Sequence, residues 1–191
     1  MKRIPLLLTA CLCCGTIFAQ TRTFDVQHYA FDISLNDSTN VIEGSAEIKV
    51  QFTEQTSTAD IDLVMKDDKT GKGMTVTQAW VNGAAGFVRT EKGIRIMLKQ
   101  AAKAGDTATI HIVYSGIPKD GLIISKTKFG KRTFFADNWP DRAHNWIPCV
   151  DIPGDKAPVD FTVSAPDHYR IISNGVLISE TAMPGNRKTT H

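Results

Sequence analysis

Tyr29-Ala30-Phe31-Asp32-Ile33-Ser34-Leu35 and Ile42-Glu43-Gly44-Ser45-Ala46-Glu47-Ile48-Lys49-Val50-Gln51-Phe52 are the stretches on which the fold turns. In each, apolar or small residues occupy every second position and mostly polar ones fall between them. Successive side chains of a strand point to opposite faces, so this pattern gives one dry face and one wet face. Asn36 to Asn40 supplies Asn, Asp, Ser and Thr, the residues that close turns through their own backbone hydrogen bonds. The pair therefore reads as a long antiparallel hairpin with one face in water.

The same alternation runs outward along the chain. Ile61, Leu63 and Met65 repeat it, and Val76 to Val81 leads into the turn dipeptide Asn82-Gly83. Ile94, Ile96 and Leu98 form the next strand, and Ala108, Ile110, Ile112 and Tyr114 another before Ser115-Gly116. Between Lys119 and Asp155 the alternation breaks down. It returns with Phe161, Val163 and Ala165, then Tyr169 to Ser173, and Asn174-Gly175 turns the chain into Val176 to Ser179. Nothing after the first twenty residues holds a helical period, and there is no internal repeat or interdomain linker. Short strands with turn signals at these spacings predict a single all-β domain, an antiparallel sandwich or open barrel, over residues 20–191.

The N-terminus has a different composition. Lys2 and Arg3 precede an apolar run from Ile4 to Cys14, and small residues from Gly15 to Ala19 precede Gln20. This is the layout of a signal peptide, and the run is shorter than the roughly 20 residues of a transmembrane helix. Cleavage after Ala19 is one reading. Leu8-Thr9-Ala10-Cys11 also resembles a lipobox, which would make Cys11 a lipid anchor. Either way the protein is expected to be exported, to the periplasm or beyond.

The chain has 22 basic and 20 acidic residues, and removing Lys2 and Arg3 leaves 20 against 20. That balance gives no overall reason to expect nucleic acid or an anionic membrane as partner. Cys11, Cys13 and Cys14 lie in the leader, so Cys149 is left without an internal disulfide partner and burial must hold the core.

The irregular stretch carries the specific information. It includes Asp137-Asn138-Trp139-Pro140-Asp141-Arg142-Ala143-His144-Asn145-Trp146-Ile147-Pro148-Cys149-Val150-Asp151-Ile152-Pro153-Gly154-Asp155-Lys156-Ala157. A long loop rich in Trp and Pro inside a compact β domain is usually functional or packed against something. Pro140, Ala143, Trp146, Pro148, Cys149, Asp151, Pro153, Lys156 and Ala157 fall in register with a pattern PxxAR-x-W-x-PC-x-D-x-P-x-x-KA. Downstream, Ala165-Pro166 and Ser173-Asn174-Gly175 match as well, and so do Tyr29 to Leu35 and Ile42-Glu43-Gly44 upstream. In these residues the chain resembles the N-terminal domain of the aminopeptidase N-type zinc metallopeptidases, in a bacterial branch of that gluzincin family.

The resemblance implies a saddle-shaped β-sandwich that caps a thermolysin-like zinc domain and helps trim N-terminal residues from peptides. The family's GxMEN strand and HExxH motif do not occur in this sequence. Zinc and the catalytic residues are therefore expected in an absent domain, which would also be the main packing partner. The chain alone is expected to be inactive, and truncated near the last strand of its own domain. The resemblance places Asp137 and Asn138 where the family holds the free α-amine of its substrate, often with a Gln. A carboxylate there can bind an ammonium by a charge-assisted hydrogen bond. The usual Arg after Ala143 is His144, which is expected to weaken the ion pair made at that position, with Arg142 as a substitute.

Plainer readings stand beside these. Asp137 and Asn138 also suit a turn before Trp139-Pro140. Trp139 and Trp146 are expected to pack, Cys149 to be a buried inert thiol, and Asp151 and Lys156 to form a structural ion pair or cap. His144, Cys149 and Asp151 match no common zinc spacing. An apolar patch exposed around Phe134 to Trp146 is expected of a capping domain. The alternative from another functional class is a free-standing secreted β-sandwich for binding or adhesion.

Overall fold

A computed structural model describes residues 22–81 and 84–191. The predicted leader with Cys11 and the predicted Asn82-Gly83 turn lie outside the described residues. In chain order the strands are β1 (Phe24–Ser34), β2 (Ile42–Phe52), β3 (Thr56–Asp62), β4 (Gly73–Val81), β5 (Ala84–Ala85), β6 (Phe87–Arg89) and β7 (Gly93–Ala102). They continue with β8 (Thr107–Ile117), β9 (Leu122–Lys126), β10 (Arg132–Ala136), β11 (Val159–Pro166), β12 (Glu180–Met183) and β13 (Arg187–Thr190). A single 3-10 turn, Ala143–Asn145, is the only helical element among the described residues.

The strands form an eight-stranded sheet in the order β12-β13-β11-β1-β2-β8-β4-β5, a three-stranded sheet β3-β7-β6, and the separate ribbon β9-β10. The all-β architecture follows the alternation. Phe31 and Ile33 of β1, Ile48 and Val50 of β2, and Ile110 and Ile112 of β8 bury their side chains in one cluster. Ile61 and Ile94 from the small sheet complete the same core. Two β-bulges keep the pattern in phase. Val26 and Tyr29 are both buried although three residues apart, and the register shifts between Val26 and His28 to allow it. Val76 and Ala79 are reconciled in the same way on β4.

Three parts of the chain differ from the alternation-based reading. The sheet is mixed, because β1 pairs in parallel with β11, Tyr29 opposite Val159 through Ser34 opposite Ser164. A parallel pair needs a crossover, and here the whole chain between the two strands supplies it. Residues 122–136, read as irregular, contain the β9-β10 hairpin, closed by Thr127 to Lys131 with Gly130 at φ 77°. Tyr169 to Ser179, read as strands, form none. Backbone pairing of that stretch with another segment is confined to its end, where the Ile178 amide donates to the His191 carbonyl and Ser179 and His191 exchange backbone hydrogen bonds, and Ile172 (79% exposed), Val176 (82%), Leu177 (65%) and Ile178 (67%) face solvent. Pairing resumes in the β12-β13 hairpin, where Asn186 adopts φ 56°.

Gly44 shows how tightly the central strands pack. A Cβ at this position would lie 2.5 Å from Tyr114 Cζ and 2.6 Å from its Oη, because Tyr114 lies across the glycine on the neighbouring strand. Tyr114 is 1% exposed, and its hydroxyl has no hydrogen-bond partner among the described residues. Burial pushes that hydroxyl well above the usual phenol range. Urea unfolding should therefore find Gly44→Ala destabilised by about 1–3 kcal/mol, the cost of overpacking. Tyr114→Phe should stay within about 1 kcal/mol of the parent, since no bond is lost. A large loss in Tyr114→Phe would contradict the unpaired hydroxyl.

Candidate functional site

Residues 137–157 leave β10 and return to β11 across one end of the sandwich. Gly121, at the base of the β9-β10 ribbon, permits the close approach. It sits at φ 75°, and a Cβ there would meet the Arg142 carbonyl at 2.3 Å. The Asp137 amide then donates to the Gly121 carbonyl at 2.7 Å.

Arg142 organises the first half of the loop. Its Nε donates to the Trp139 carbonyl at 2.7 Å, and its amide donates to the Asn138 carbonyl at 3.0 Å. Its guanidinium pairs with Asp137 Oδ2 and lies 3.8 Å from Asp120 Oδ1. Trp146 Nε1 donates to Asn138 Oδ1 at 2.9 Å. Asn138 is thus tied to an indole that is 5% exposed. Asp137 engages Arg142 through one oxygen, and its Oδ1 carries no hydrogen bond among the described residues. The two predicted amine ligands are adjacent in the loop, but their polar atoms are not equally free.

The second half is anchored to the end of β3. Asp62 and Cys149 exchange backbone hydrogen bonds at 2.9 and 3.1 Å, and the Val150 amide donates to Tyr29 Oη at 2.9 Å. Cys149 is buried, and burial raises its thiol well above the ordinary range, as expected of an inert cysteine. Asp62 also accepts from the Asp151 amide at 3.1 Å and pairs with Arg22.

Asp151 does not pair with Lys156, which is exposed. Its partner is His144, whose Nδ1 lies 2.6 Å from Asp151 Oδ2 and whose amide donates to the same oxygen at 2.9 Å. The expected weak point is therefore a short contact, because the loop brings the His144 ring, seven residues from Asp151, to the carboxylate without an arginine's length. Trp139, expected to pack, is 76% exposed, and Phe135 is 61% exposed. Trp146 packs as expected. The ribbon side chains Ile124 and Phe134 also pack against the core, a contact hidden from the sequence by the irregular reading of that segment. No three His, Cys, Asp or Glu side chains among the described residues come together in a way that could hold a metal ion.

The Asp151 hydrogen bond raises the His144 imidazole above its ordinary value against partial desolvation, with Asp62 and Asp141 adding in the same direction. A folded-state value above the unfolded one stabilises fully below the unfolded value, about pH 6.5. The contribution is lost as pH rises through the raised folded value. Thermal unfolding of the parent and His144→Asn across neutral pH should show the parent's advantage largest in mild acid and shrinking with alkalinity. An advantage that grows with pH would contradict the ion pair.

The profile of the Peptidase M1 N-terminal domain family matches residues 25–191. Among solved structures, the M1 zinc metallopeptidase from Deinococcus radiodurans aligns at TM-score 0.73 and 24% identity, over 88% of this chain and 38% of that one. A mutant of that protein bound to a Tyr-Ser-Ala substrate aligns at TM-score 0.73 and 22% identity, with the same coverage of both chains. A mutant two-domain M1 zinc metallopeptidase bound to L-arginine aligns at 0.72 and 23%, over 89% of this chain and 39% of that one. These likenesses show the fold, and the chain spans under two-fifths of the relatives' length. No curated protein matches the chain significantly. The chain belongs to the Peptidase M1 N-terminal domain family.

Proposed function

We propose that the chain is the substrate-capping part of an exported zinc aminopeptidase that removes N-terminal residues from peptides, and that it is inactive by itself. The observation that carries this reading is the family match over residues 25–191. On this reading zinc and the water it activates belong to the partner domain. The peptide-bound and amino-acid-bound states of the related structures support a substrate with a free N-terminus.

Within the loop, Asp137 is the ammonium acceptor and Asn138 its support. Asp137 has an oxygen to offer while Arg142 fixes the carboxylate through the other. Asn138 already uses one lone pair of its acceptor oxygen on Trp146, and its amide group is a donor, the wrong polarity for an ammonium.

The partner domain would also cover apolar surface. Phe135 and Trp139 are exposed, and Ile172, Val176, Leu177 and Ile178 supply a further exposed stretch. Isolated apolar side chains on a surface are ordinary, but runs of this kind mark contacts.

The purified chain should release no amino acid from aminoacyl-amide substrates, with or without added zinc, and hydrolysis by the chain alone would overturn the reading. When the chain is joined to an HExxH domain, Asp137→Asn should raise KM about 10- to 100-fold with a smaller change in kcat, the loss of a charge-assisted bond. The isolated chain should also associate with rising concentration in light scattering, and Val176→Ser with Leu177→Ser should reduce this. A monodisperse parent at high concentration would count against a missing packing partner.

A further inference from the structure

The β9-β10 ribbon has a charge that the balance of the whole chain hides. From Gly121 to Ala136 the sequence holds Lys126, Lys128, Lys131 and Arg132 and not one Asp or Glu. Arg132 is committed to the body of the domain. It donates to Asn40 Oδ1 at 2.7 Å and stacks its guanidinium 5.2 Å from the Phe134 ring centre. The three lysines sit beyond it, and none has a carboxylate partner among the described residues. At the tip Phe129 is 78% exposed, with Lys128 Nζ 5.0 Å from its ring centre.

The base of the ribbon is fixed. Leu122 is buried, and Phe134 meets Tyr169 edge-on at 5.4 Å. Tyr169 in turn donates to Asp37 at 2.5 Å. Every residue from Ser125 to Lys131 is exposed, so the tip is a convex projection. We propose that this tip docks on an anionic lipid surface, Phe129 entering the headgroup layer and Lys126, Lys128 and Lys131 meeting the lipid phosphates.

The shape selects this occupant. An acidic peptide or small anion is held in a concave site lined by converging groups, and the tip has no concavity. A fluid interface accommodates a projection. It accepts an aromatic ring at headgroup level and attracts basic residues that lie within a Debye length. The inference does not depend on the peptidase reading.

The test is co-sedimentation of the full chain with vesicles of phosphatidylcholine, with and without phosphatidylglycerol. Binding should require phosphatidylglycerol and vanish near 1 M salt, where the Debye length is about 3 Å. Replacing Lys126, Lys128 and Lys131 by Ala should weaken partitioning on the order of 100-fold, at about fivefold per lysine. Phe129→Ser should weaken it severalfold. All four side chains are exposed, so circular dichroism should not change. Several results would overturn the proposal. One is equal binding to neutral vesicles. Another is binding that survives the triple replacement, as binding through the apolar N-terminal stretch would. A third is lysine-dependent self-association without lipid, which would assign the tip to the acidic sheet face of a second copy, near Asp32, Glu43 and Glu47.

Discussion

The reciprocal backbone hydrogen bonds between Asp62 and Cys149 are the constraint on which the functional end of the domain depends. They splice an irregular loop onto the end of a regular strand. This gives the loop's peptide groups partners that they could not find in water-excluded surroundings. Once Cys149 is placed, Trp146, Ile147 and Val150 fall into the same core as the sheet residues, and Tyr29 Oη reaches the Val150 amide. Cys149 is a free cysteine, so this fixation is achieved by pairing and burial rather than by a covalent link.

The polar network follows from the same splice. Bringing Asp62 beneath the loop would leave a carboxylate part-buried, and two donors reach it, the Arg22 guanidinium and the Asp151 amide. Asp151 is then held where its own carboxylate faces His144, which supplies both a ring nitrogen and an amide. Each group in the series satisfies the next. A buried charge is tolerated on those terms and is costly on any other. Arg142 plays the corresponding part in the other half of the loop, dividing its donors among Trp139, Asp137 and Asp120.

The central hairpin was legible in the sequence because water wets one of its faces and leaves a period-two trace. The parallel pairing of β1 with β11 was not, since alternation records which face is buried and not which neighbour or direction completes the sheet. The β9-β10 ribbon was hidden for a related reason. Its exposed Ile123 and Phe135 and half-buried Ile124 and Phe134 blur the contrast between faces. Tyr169 to Ser179 misled in the opposite sense, since β-propensity reports fit to a half-buried sheet surface and these apolar side chains are mostly exposed. In the site loop, residue identity located Asp137, Asn138 and Trp146 through family resemblance. It could not show that His144 takes the Asp151 carboxylate, because that depends on the path of the chain from the 3-10 turn that carries His144 to Asp151. It also failed to expose Trp139, which lies outside the splice while Trp146 lies within it.

The two apolar surfaces of the domain consequently differ in physical character. The loop bearing Trp139 is held by its own hydrogen bonds, so its shape is set before anything touches it. A partner meeting it would lose little conformational freedom in doing so. The strap from Ile172 to Ile178 is tied down at its end, where the Ile178 amide donates to the His191 carbonyl, and otherwise gains mainly by being covered, at about 25 cal/mol per Å² of apolar area removed from water. Affinity for a packing partner would then come mostly from the strap. Alignment of Asp137 with a substrate amine would come mostly from the preformed loop. That division lets the strap vary in sequence as long as it stays apolar. The loop has less latitude, because a change at Arg142, Asn138 or Trp146 moves the carboxylate that the substrate would meet.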